Sequence, residues 1–179
     1  MNDALGSKLQ EKRKNVVMPN ITGSYLDIGC GYNNIAREYK EKNPEEKSLG
    51  VDVYPWKGCD HVVEDTAALP YDDTSFNTVS CVAALNHIPY REKVVAEMYR
   101  ILKPGGTAII TMIPPGLSKI WHKIREPWDE DQHERGMIEG EVFGLTKKEI
   151  VDMFEKEGFK VKKIQGFMLG INKLYIFEK

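Results

Sequence analysis

The spacing of apolar positions alternates between the two-residue and 3.6-residue periods along most of the chain. Residues 24–28 read as a first strand, and Asn34–Lys42 (NIAREYKEK) as the helix after it. Residues 47–53 form a second strand, closed by Tyr54-Pro55. Together these fill the ~30-residue span of a βαβ unit. Residues 61–64 are a short third strand, and 76–84 an almost unbroken apolar run suited to a strand buried on both faces. Val94, Val95, Met98, Ile101 and Leu102 follow the helical period over 91–102, and Pro104-Gly105-Gly106 stops it before a buried strand over 107–113. Thr146 and Glu149 make a capping-box pattern, opening a helix that Gly158 ends. Two strands follow, 159–165 and 172–178, joined closely enough for a hairpin. The predicted fold is α/β: a doubly wound, mostly parallel sheet with helices on both faces and an antiparallel last strand.

Length and charge narrow the classes. The 179 residues suit one domain, with 1–22 as an N-terminal extension and 114–145 as a segment inserted late in the alternation. Apolar residues make up 41% and charged residues 29%, a globular balance. Lys plus Arg number 25 against 27 acids, so no broad basic face for nucleic acid is expected. No apolar run has the length of a membrane span, and the polar first residues do not read as a signal peptide. Cys30, Cys59 and Cys81 contain no CxxC pair. Reduced thiols and a cytoplasmic location are expected. No obligate protein partner is evident.

The candidate chemistry lies at Tyr25-Leu26-Asp27-Ile28-Gly29-Cys30-Gly31, a strand running into a glycine turn and a helix. Glycines there let the backbone approach a ligand closely. Asp52 ends the second strand, where a carboxylate can take two hydrogen bonds from the cis hydroxyls of a ribose. The dinucleotide fingerprint requires a third glycine, but position 34 is Asn34. An acid at Asp27 suits a cationic ligand better than a pyrophosphate. That favours S-adenosylmethionine over NAD.

These residues resemble the class I S-adenosylmethionine-dependent methyltransferases, in particular single-domain members acting on small molecules. Asp27, Gly29 and Gly31 match the D-x-G-x-G motif, and Asp52 with Val53 the ribose acid and its adenine-side neighbour. Asp65-Thr66-Ala67-Ala68-Leu69-Pro70 matches the acid before a Leu-Pro pair. Residues 76–79 with 85–89, and 100–106, match the fourth-strand and helix-ending motifs. The resemblance implies S-adenosyl-L-methionine as cofactor, held by Asp27, Gly29, Cys30, Gly31, Asp52, Val53, Asp65, Thr66, Ala67 and Val82, and in-line methyl transfer to a small molecule. A non-catalytic cofactor-binding protein of the same fold is the alternative. Asn33 replaces a common further glycine, and Asn77 a usual aspartate. Only seven residues, 54–60, join the second and third strands, too few for the usual helix. Trp56 then either covers the adenine or packs on the sheet edge.

A positioned acceptor needs no covalent activation by the protein, so the absence of a triad does not count against catalysis. His87, after the fourth strand, is a candidate base or a packing residue of the next helix. Trp121, in the amphipathic start of segment 114–145, is a candidate wall of the acceptor pocket, and the segment a candidate lid. Residues 126–141 carry seven acids and one arginine, a solvated face by default. Asp129, Asp131 and His133 have no standard metal-ligand spacing, and no metal is expected. Cys30 and Cys81 are read as packing residues.

Overall fold

Strand β1 (Tyr25–Ile28) lies buried along its whole length, with β2 (Ser48–Asp52) parallel on one side and β4 (Phe76–Val82) parallel on the other. The computed structural model describes residues 4–117 and 139–179. The remaining elements are α1 (Ala4–Val17), α2 (Asn34–Lys42), β3 (His61–Val62), α3 (Arg91–Ile101), β5 (Leu102–Met112), α4 (Lys147–Lys156), β6 (Lys160–Phe167) and β7 (Asn172–Glu178). The seven strands run in the order β3-β2-β1-β4-β5-β7-β6, and β7 is antiparallel to both its neighbours. The chain therefore steps outward from β1 to β3 and returns to the other side at β4. Such a reversal leaves a crevice at the carboxyl ends of β1 and β4.

Alternation along the strands sorts the core into two layers. Tyr25, Ile109, Leu174 and Ile176 face Val17 of α1 and Ile35, Ala36 and Tyr39 of α2. Leu26, Ala108, Ile110, Tyr175 and Phe177 face α3 and α4. Phe154 of α4 stacks on Phe177 with centroids 4.1 Å apart. Truncating so buried a ring costs about 3–5 kcal/mol. The capping box at Thr146 is formed in both directions. The exposed edge strand β6 carries Lys160, Lys162 and Lys163, charges that oppose pairing with another chain.

As the spacing predicts, the crossover from β2 to β3 contains no helix. The fourth-strand run ends at Val82 rather than residue 84, because Ala83 adopts a left-handed conformation. β5 begins earlier than expected. Leu102 already pairs with Phe76, and Gly105 at φ +74° lets Pro104-Gly105-Gly106 pass as an irregularity within the strand. Backbone bonds from Gly105 to Lys179, and from Lys179 to Gly106, close it. Among the described residues no helix is long and apolar enough to cross a membrane.

Candidate cofactor and methyl-transfer site

The glycine turn after β1 is built by backbone conformation. Gly29 and Gly31 have φ of +70° and +52°, a region costly for residues with a β-carbon. A β-carbon on Gly29 would stand 2.6 Å from Ala84 Cβ, so this glycine permits the loops after β1 and β4 to touch. At Gly31 an added β-carbon would meet nothing within 4 Å. Its bare face is open to a ligand.

Asp52 ties the turn to β2. Its Oδ2 accepts from Gly31 N at 3.0 Å and its Oδ1 from Tyr54 N at 3.1 Å. Those bonds use part of the carboxylate's acceptor capacity. Val53, next in sequence, is 44% exposed although apolar. Trp56 packs between Tyr32 and Tyr54, at centroid distances of 5.3 and 4.7 Å. The sequence had singled out only the tryptophan of this trio. Asn33, buried and left-handed at φ 57°, aims its side chain away from the turn. Its Nδ2 donates to Gly58 O and to Asp60 Oδ2.

Asp27 sits below the turn, 2% exposed, accepting a hydrogen bond from Ser80. Burial drives its carboxyl up to about 7, opposed by the Ser80 bond and reinforced by the Asp52 charge. Cys30 and Cys81 flank it, and burial pushes both thiols well up. Burial therefore disfavours the thiolate of each at neutral pH.

Asp65 follows β3 on the same edge. Its Oδ1 accepts from Ala67 N at 2.8 Å, while Thr66 is buried. Glu97 on α3 fixes this turn from below by accepting from Leu69 N at 2.7 Å. Arg100 bonds the same carboxylate and the carbonyls of Leu69 and Tyr71. Glu97 escaped the sequence reading because a lone acid on a helix carries no signal of its tertiary partner. Val82 closes β4, partly buried against the α1–α2 layer.

His87 lies in a 3-10 turn after β4, its Nδ1 3.3 Å from Glu141 Oε2. Residues 140–142 are stapled to that turn: Asn86 and Val142 exchange bonds, and Arg91 donates to Gly140 O. Trp121, Asp129, Asp131 and His133 lie outside the described residues. Among the described residues no three His, Cys, Asp or Glu side chains gather as for a metal.

The methyltransferase-domain family matches residues 26–110, from the middle of β1 through most of β5. That match covers just under half of the chain. A demethylmenaquinone methyltransferase of Thermotoga maritima is 27% identical over 81% of this chain and 76% of its own length. The sterol 4-C-methyltransferase strm-1 of Caenorhabditis elegans is 30% identical over 48% of this chain, and the match spans only 29% of that relative. The fold is shared with a crystallised S-adenosylmethionine-dependent methyltransferase of Archaeoglobus fulgidus, with a TM-score of 0.72 at 18% identity over 96% of this chain and 94% of that one. The open face of Gly31, the Asp52 carboxylate bonded beside it and the buried Asp27 carboxyl have the chemistry to hold S-adenosylmethionine.

Proposed function

We propose that this chain transfers the methyl group of S-adenosylmethionine to a small, largely apolar ring compound by in-line displacement. The observation that carries the reading is the open face of Gly31, held beside the Asp52 carboxylate by their 3.0 Å bond. Asp52 takes the ribose hydroxyls, with Val53, Thr66 and Ala67 around the adenine and Asp65 at its amino group. Gly29, Cys30 and Gly31 pass under the amino-acid tail, Asp27 receives its ammonium, and Val82 bounds the methyl end. Trp56 covers the adenine from within its aromatic trio.

When bound, the sulfonium supplies an electrophilic methyl carbon. The protein's part is to hold the acceptor atom in line at ~3–3.5 Å, a contribution worth about 7–11 kcal/mol. His87, oriented by Glu141, takes the proton the acceptor loses. The acceptor class follows the relatives named for demethylmenaquinone and sterols.

Incubation with methyl-labelled cofactor and a panel of demethylmenaquinol, a C4-demethylated sterol and simple amines tests the proposal. Saturable transfer to a ring compound is expected. Transfer to amines alone would overturn the acceptor class. Tight cofactor binding with no transfer to any acceptor in the panel would favour a non-catalytic binding protein instead.

A further inference from the structure

Strands β1 and β4 bring three polar side chains together beneath the glycine turn, out of reach of water. Asp27 pairs in register with Ser80, and Tyr25, two residues before Asp27, shares its face of β1. The Ser80 hydroxyl donates to Asp27 Oδ1 at 2.5 Å. The Tyr25 hydroxyl lies 2.6 Å from Ser80 Oγ. Because the Ser80 proton is committed to Asp27, Tyr25 is the donor. Tyr25 and Ser80 are completely buried.

This relay satisfies hydrogen bonding without neutralising charge. The titratable groups facing Asp27 are Tyr25 on its own strand, Asp52 at the end of β2, Cys30 in the turn and Cys81 on β4. From α2, Tyr39 meets the Tyr25 ring edge-on at 5.6 Å and donates its hydroxyl to Gly23 O. None of these supplies a positive charge, and Asp52 is a second carboxylate. Burial beside a like charge favours the protonated acid, whereas each hydroxyl bond favours the carboxylate. A cation placed nearby would complete the shift toward the carboxylate.

We propose that Tyr25 and Ser80 are positioning residues of the cofactor site: they fix the buried Asp27 carboxyl beneath the glycine turn and ease the passage of its proton to solvent when a cationic ligand seats there. The inference rests on the proposed reading that Asp27 faces the cofactor's ammonium. In the step the Asp27 O–H bond breaks and the proton passes to water or buffer. No oxidant, reductant or further reactant takes part. The two hydroxyls act through Asp27 by setting how readily the proton leaves.

Calorimetric titration of the full chain with S-adenosylmethionine, from about pH 5.5 to 7.5 in buffers of different ionisation heat, tests this. The window lies below the titration range of an ordinary α-amino group. Proton release near one per ligand is expected at the acid end, falling as pH rises through about 7. Affinity should be roughly tenfold or more weaker at the acid end. 5′-Methylthioadenosine, which lacks the amino acid and its charge, should bind without proton release. Ser80→Ala and Tyr25→Phe should move the midpoint to higher pH. Asp27→Asn should abolish the dependence, and His87→Gln should retain it. Binding that is flat with pH and releases no proton would overturn the relay and leave the cofactor reading standing. So would hydroxyl variants whose curves superimpose on the wild type. Absence of any S-adenosylmethionine binding would overturn both.

Discussion

A β-carbon placed on Gly50 would lie 2.1 Å from Asn33 Oδ1, so the asparagine side chain occupies the space that this glycine vacates. Asn33 Nδ2 and Gly50 N both donate to Asp60 Oδ2, each at 2.7 Å. One asparagine thus bolts the turn after β1 to the helix-less crossover between β2 and β3.

The pair should be energetically coupled. Gly50→Ala is expected to destabilise by about 1–3 kcal/mol through overpacking. Asn33→Gly should cost a similar ~1–3 kcal/mol through its lost bonds to Gly58 O and the Asp60 carboxylate. The double variant should cost less than the sum, with a coupling of ~0.5–3 kcal/mol. Denaturant unfolding of the four proteins measures the cycle. Strict additivity would show that the contact carries no energy.

Asp52→Ala is expected to weaken S-adenosylmethionine binding by on the order of 1–3 kcal/mol through lost charge-assisted bonds. The backbone bonds from Gly31 and Tyr54 disappear with it, so the turn itself should loosen. Titration calorimetry and amide hydrogen exchange at Gly31 read the two effects separately. Unchanged affinity would remove Asp52 from the site.

Much of this arrangement was legible in the sequence, because its parts are local. The strand–glycine–helix register, the acid ending β2 and the short 54–60 crossover each follow from spacing within a few residues. The missed residues act across distance. Ser80 is one small polar residue in an apolar run, and its role appears only when β4 is laid beside β1. Glu97 and Glu141 meet Leu69 N and His87 through tertiary contacts that no period encodes. Asn77 differs again. The sequence marked it as a departure, and the structure gives it work: its Oδ1 accepts from Ser24 N, Ser24 Oγ and Lys103 Nζ at the opposite end of the sheet.

Glu97→Ala should act on binding through stability of the Asp65 turn. It leaves Leu69 N without its acceptor and Arg100 without its main partner. Arg100 is one-third exposed, so a cost of about 1–3 kcal/mol is expected rather than that of a fully buried pair. Thermal unfolding and S-adenosylmethionine affinity should both fall. A lower melting temperature with unaltered affinity would separate the turn from the adenine site.

His87→Gln should lower the methyl-transfer kcat by about 100-fold or more while leaving cofactor affinity near wild type, if the ring takes the acceptor's proton. Steady-state rates across pH, combined with binding measurements, distinguish this from packing. A packing histidine would shift the melting temperature and leave the pH profile of kcat in place.

Asp27 gives the free protein a pH dependence of stability whose sign can be worked out. Its carboxyl is raised to about 7 in the folded chain from an ordinary value of 3.8. Between those values the folded state binds more protons than the unfolded one, so stability falls as pH rises through this window. Above about pH 7 the buried carboxylate is ionised, and its penalty, on the order of a few kcal/mol, is fully present. Asparagine at this position cannot ionise. Asp27→Asn should therefore raise the melting temperature of the ligand-free protein at about pH 8 and raise it clearly less at about pH 5, while weakening S-adenosylmethionine binding at neutral pH. A variant whose melting temperature differs from wild type by the same amount at both pH values would show that Asp27 does not titrate between them. A stabilised variant that also bound the cofactor normally would show that the buried charge serves something other than this ligand.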